Sequence, residues 1–269
     1  MTNRLVLISA SVILALAAVF SGMTAIGSAH AATLTSLSSL SAGDLVRGES
    51  FSAVYFYGTD GFRYVFPNDK TYFTWYSNFN TVKWISDADL SKIQIGGNVT
   101  YKPGVKMIKI NSDPRVYVVS AGGTIHSVAS EAIAKTLYGA TWNKQIDDVP
   151  DGFFSNYKMG TLLDVAGMYS TDAEKSEAVS INKDKGLTAP TVINLTDAGY
   201  SPATVTISAG TVVKFVNTGS AKHTASDDSD NWGTGTLNNG DMFSRYFKVA
   251  GTYTFHDTYG TAKGTLTVK

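Results

Sequence analysis

The sequence predicts a mainly β protein with short helices: an N-terminal α+β tandem-repeat module followed by a C-terminal antiparallel β-sandwich. Three observations predict it. Apolar and polar residues alternate through residues 200–268, so that Val205, Ile207, Val213 and Phe215 share one face while Thr204, Thr206, Ser208 and Lys214 share the other. Gly210, Gly235, Gly240, Gly251 and Gly264 punctuate those runs, the turn spacing of a sandwich. Residues 54–160, finally, match themselves at a nearly fixed offset.

The chain opens Met1-Thr2-Asn3-Arg4, runs apolar from Leu5 to about Phe20, and reaches Ala29-His30-Ala31. A charged start, an apolar run and a small-residue exit make residues 1–31 a signal peptide, with cleavage before Ala32. The alternative is a retained anchor, because weakly apolar residues extend the run towards Gly27. The protein is therefore expected to be exported: extracellular, on the cell surface, or periplasmic if a second membrane exists. A membrane is expected as partner only through an uncleaved signal segment. Removing Arg4 leaves 21 basic against 22 acidic residues. Such a balance provides no basic face for nucleic acid. There is no cysteine, so stability must come from packed cores rather than disulfides.

Residues 32–47, rich in Ser, Thr, Ala and Leu, read as a lead-in. The module is expected over 48–165, with units at 54–97 and 116–160. Val54, Tyr55 and Gly61 match Val116, Tyr117 and Gly123 at an offset of 62, and Val82 and Ile85 match Ile146 and Val149 at 64. Each unit begins with a hairpin, turning at Asp60-Gly61 or Gly122-Gly123. A short helix follows, clearest over 130–138, where Ser130 can cap the start and Gly139 the end. A second short helix starts near Ser86 and near Pro150. Between the units, residues 98–110 read as a hairpin around Pro103-Gly104. Residues 166–188, polar and without a period over most of their length, read as a linker to an independently folded sandwich at 189–269.

Aromatics crowd the first unit. Most have aromatic or aliphatic counterparts in the second and so fill a thin core. Tyr64 and Trp75 face His126 and Leu137 at the matching positions, which makes them the candidates for exposure and ligand binding, as a stacking platform for carbohydrate. The arrangement resembles tandem aromatic modules of extracytoplasmic bacterial proteins. A cell-wall or surface polymer, or an envelope protein, is the expected partner. No nucleophile–base pair, paired-carboxylate signature or phosphate loop is present in 32–188, so no enzyme activity is expected.

The C-terminal stretch carries a more specific resemblance. Tyr200-Ser201-Pro202, Gly210, Phe215-Val216-Asn217, His223, Thr234-Gly235-Thr236-Leu237, Gly240-Asp241-Met242-Phe243 and Gly251-Thr252-Tyr253 stand in the order and spacing of a cupredoxin. The stretch resembles that blue-copper family over residues 189–269. The resemblance implies a cupredoxin-like sandwich whose copper would be held by His223 and by a Cys, a His and a Met from the last loop. Those three positions are here Asp257, Tyr259 or Gly260, and Thr261 or Ala262. A type 1 copper site needs a thiolate and two imidazoles, so no cofactor is expected, the copper site being degenerate. Two readings of the surviving residues stand. His223 and Asp257 could bind copper or another divalent metal, joined by Asp227 or Asp228; or Asp257 simply accepts a hydrogen bond from His223. His256, one residue before Asp257, should point to the opposite face.

N-terminal sequencing of the exported protein should begin at Ala32. A start at Met1 or Thr2 on an envelope-bound form would mark the retained anchor instead.

Overall fold

Turn and cap residues set the local structure of the first half. The computed structural model describes residues 33–269, so the signal-peptide expectation lies outside the described residues. The strands are β1 (Leu45–Arg47), β2 (Tyr55–Tyr57) and β3 (Arg63–Val65), then α1 (Asp69–Trp75), β4 (Val82–Trp84), α2 (Asp87–Ser91) and β5 (Ile95–Asn98). Gly61, at φ 83°, turns the β2–β3 hairpin in a conformation that side-chain-bearing residues avoid. Asn68 caps α1 by accepting from Thr71 N–H at 2.8 Å, and Ser86 caps α2 by accepting from Asp89 N–H at 3.0 Å.

The second set repeats the first. It comprises β6 (Met107–Ile110), β7 (Asp113–Ser120), β8 (Thr124–Ser127), α3 (Glu131–Tyr138), β9 (Ile146–Asp148), α4 (Asp151–Phe154) and β10 (Lys158–Met159). The sheet orders are β4-β1-β2-β3-β5 and β9-β6-β7-β8-β10, one order read twice. In both, the three middle strands run antiparallel and the two outer ones are added in parallel. Ser130 and Gly139 bound α3 as expected.

Two expectations need correction here. The lead-in at 32–47 ends in β1, whose Leu45 and Val46 are buried; three residues are too few to show a period. Residues 98–110 do not form a hairpin. Strand β5 pairs with β3 and β6 pairs with β7, so Pro103-Gly104 turns the chain from one sheet into the next.

Residues 166–188, expected as a linker, carry α5 (Thr171–Glu177) and α6 (Ile181–Lys185). The segment is bonded to what it crosses: Glu174 accepts from the Ser120 hydroxyl at 2.8 Å, Asp184 from Gly122 N–H at 2.9 Å, and Asn182 from Thr59 N–H at 2.9 Å. Ile181 is buried beside Phe56 and Val212. Ile181 is the one buried apolar residue in the two helices, so hydropathy has no repeat to reveal.

The sandwich consists of β11 (Thr191–Thr196), β12 (Gly199–Ser201), β13 (Thr204–Ile207), β14 (Thr211–Asn217), β15 (Ser226–Asp227), β16 (Met242–Phe247), β17 (Gly251–His256) and β18 (Lys263–Val268). Its sheets are β12-β11-β14-β16 and β13-β18-β17-β15. Ile193, Val213, Phe215, Trp232, Phe255 and Leu266 fill the space between them. Val212, on the other face of β14, joins the core of the first repeat with Leu45, Phe56 and Phe62. The two parts expected to be separate therefore share buried side chains.

Polar contacts fix the same junction. Asp60, 1% exposed, accepts from the hydroxyls of Tyr64 and Tyr246, both at 2.6 Å. Gln94 accepts from Ser244 N–H at 3.0 Å, and Lys92 pairs with Asp241 at 2.9 Å. Burial, reinforced by the bond to Asp60, pushes the Tyr246 phenol up to about 12. Asp60→Ala strands two hydroxyls and should lower stability by about 2–4 kcal/mol in denaturant unfolding, with Tyr246→Phe costing less.

Candidate functional site

The residues that resemble a copper site meet at one end of the sandwich. Asn217 closes β14 and braces the loop beyond it. Its amide donates to the carbonyls of Ala221 and Leu237, both at 2.8 Å, and its oxygen accepts from Gly219 N–H at 2.9 Å. That brace delivers His223, whose backbone exchanges hydrogen bonds with Leu237. On the other sheet, β17 ends at His256, and Asp257 N–H donates to Ala262 O at 3.0 Å, closing the last loop.

Asp257 is buried beneath this loop. Its Oδ2 lies 2.8 Å from His223 Nδ1, while its Oδ1 accepts from Thr224 N–H at 2.9 Å and Tyr259 N–H at 3.1 Å. The sequence reading missed a third member, Asp197. It sits in the β11–β12 turn with Oδ1 3.1 Å from His223 Nε2, and it also accepts from Ser220 and Ala221. The only signal for it is the pairing of β11 with β14, which sets Leu195 beside Asn217.

This geometry decides the charge of the ring. Each imidazole nitrogen faces a carboxylate oxygen, so both must donate, and only imidazolium carries two N–H groups. The bond to Asp257, aided by Asp197 and opposed by burial, raises the His223 pKa. Burial pushes Asp257 up, but the bonds from His223, Tyr259 and Thr224 outweigh it and hold the carboxyl low. The Ala221 and Ser220 donors, then His223, hold Asp197 well below the usual carboxylate range.

The donor set does not fit type 1 copper. The chain has no thiol, and Tyr259, Gly260, Thr261 and Ala262 bring no imidazole or thioether. Nor do the three charged groups converge on a point, since the two carboxylates lie against opposite edges of the ring. Among the described residues no group of three or more His, Cys, Asp or Glu is placed to hold a metal ion. Asp227 and Asp228 do not join His223. Asp227 accepts from Asn231, and Asp228 lies 2.6 Å from His256 Nδ1, on the face that strand alternation assigns to His256.

The candidate ligand residues of the module are placed differently from expectation. Tyr64 is buried, its hydroxyl committed to Asp60. Trp75 packs against the first core and donates from Nε1 to Thr100 O at 2.9 Å. Comparing the repeats could not reveal this for Tyr64, because its hydroxyl is satisfied beside Tyr246, a residue of the sandwich. His126 lies 2.9 Å from Thr161 O through Nδ1, an ordinary hydrogen bond.

No protein-family model matches the sequence, and no curated protein matches it. Solved structures with a similar part include a purple cupredoxin from Nitrosopumilus maritimus, 24% identical, covering 29% of this chain and 99% of that one at a TM-score of 0.28. A Cu-containing nitrite reductase from Thermus scotoductus is 21% identical over 30% of this chain, at a TM-score of 0.29. The match spans only 22% of that enzyme. A variant of amicyanin is 18% identical over 31% of this chain and 88% of its own, at a TM-score of 0.29.

The shifts imply a pH window. His223 is raised, so its contribution is complete below the unfolded value of about 6.5 and fades as pH rises through the higher folded value. Asp197 and Asp257 are lowered, so theirs is complete above about 3.9 and fades as pH falls through the lower folded values. NMR titration should place the His223 pKa above about 6.5 and show it falling in both Asp257→Asn and Asp197→Asn.

Proposed function

We propose that this chain is a non-catalytic, exported protein of the cell envelope or surface, with a binding and structural role. In this reading the cupredoxin-like sandwich has exchanged copper for an internal ion pair. One observation carries the proposal: both nitrogens of His223 are engaged by carboxylates, at 2.8 and 3.1 Å, so the ring has no lone pair for a metal. The position equivalent to the copper thiolate is filled by a carboxylate whose two oxygens already accept from His223, Thr224 and Tyr259. The two five-stranded sheets are read as a tandem duplication, supported by their common strand order and by the sequence offset. Export rests on residues 1–31, and a wall or surface polymer, or an envelope protein, is the partner class that suits such an address.

The test is metal titration of the purified chain. A ligand at a hundred times its dissociation constant stabilises the folded state by about 2.7 kcal/mol. Cu(II) or Zn(II) should therefore leave the melting temperature of both wild type and Asp257→Asn unchanged. A rise in wild type that Asp257→Asn abolishes would restore metal carriage at His223 and overturn the proposal. No blue colour should develop with Cu(II), because no thiolate is present.

A further inference from the structure

The two repeats carry a cleft at the same place. The first is about 420 Å³ and is lined by Phe66, Asn68, Asp69 and Phe79 among others. The second is about 240 Å³, and Val128, Ser130 and Glu131 line it at positions 62 residues further on. Trp142 stands 63 residues after Phe79, inside the stretch where the offset passes from 62 to 64. Each cleft thus combines an apolar floor, an aromatic wall, a helix cap and an acid at the first helical position.

We infer that these are two binding sites for neutral pyranose units of a repeating glycan. Phe79 stacks against Tyr72 with centroids 4.3 Å apart and meets Phe73 at an angle at 5.2 Å, yet it stays half exposed, so part of the ring remains open to the cleft. An open aromatic face suits the apolar C–H face of a sugar ring. Asp69 is exposed and takes one bond, from Lys70 N–H, leaving acceptor capacity for ligand hydroxyls. Anions are disfavoured: an acid sits in each cleft, Arg115 beside the second is already paired with Asp113, and Asn68 and Ser130 occupy helix N-terminal amides. A site built twice on a repeated unit matches a ligand that also repeats, since one polymer can then engage both sites with a gain in avidity. The inference rests on the binding role proposed above. It replaces Tyr64 and Trp75 by Phe79, which is half exposed, and by Trp142, which is half-buried and lines the second cleft.

The experiment is NMR titration of the isotope-labelled full chain with N,N′-diacetylchitobiose, cellobiose and maltose separately. At least one disaccharide should shift two groups of amides, around Phe66–Asp69 and Phe79 and around Val128–Glu131 and Trp142. Phe79→Ala should abolish the first group and spare the second, and Trp142→Ala should do the reverse. Asp69→Asn, an exposed conservative change, should weaken the first site by about tenfold, the equivalent of one hydrogen bond to a charged acceptor. No shift with any of the three sugars, shifts surviving the Phe79→Ala/Trp142→Ala double variant, or a response to tetralysine alone would each overturn the inference. Metal titration reads His223 and sugar titration reads the clefts, so failure of one is distinguishable from failure of the other.

Discussion

Strand β14 has to satisfy two cores at once, and the arrangement of the chain follows from that demand. Val213 and Phe215 point into the sandwich, while Val212 points into the first repeat. Each such side chain contributes about 1.5–3 kcal/mol when fully buried, so neither side can be uncovered cheaply. The same strand ends in Asn217, whose amide braces the loop bearing His223. One face of one strand therefore docks the module, the other holds the sandwich, and its end places the candidate site.

Buried acids recur wherever two parts of the chain meet. Asp60 lies between the first repeat and β16, Asp184 between α6 and the second hairpin, and Asp257 between the loop after β14 and the loop after β17. A buried carboxylate is costly unless its lone pairs are filled. Each of these accepts at least one hydrogen bond from another segment of the chain. Docking and satisfaction of the acid are thus one event, which specifies the pairing of segments more sharply than apolar contact could.

Much of this was legible in the sequence. Alternation gave the sandwich strands, Asp60-Gly61 gave a hairpin, Ser130 and Gly139 bounded a helix, and the resemblance to a cupredoxin implied that Asp257 lies beside His223. What was not legible depends on distant segments. Asp197 reaches His223 only through the register of β11 on β14. Tyr64 reads as exposed when the repeats are compared, because only one repeat supplies a partner for the sandwich. Strand β1 and the helices after residue 166 are too short for periodicity. Their place is set by a few buried residues such as Leu45, Val46 and Ile181.

The sheets of the module end in strands of only two to four residues: Val82–Trp84, Ile95–Asn98, Ile146–Asp148 and Lys158–Met159. An edge strand is a template for pairing with another chain, and shortness is one way to blunt it. A neighbouring molecule aligning along any of these edges could form only a few backbone bonds before the strand ran out. Crowded copies of this protein would thus be guarded against edge-to-edge aggregation by the brevity of its borders, with no need for a covering helix.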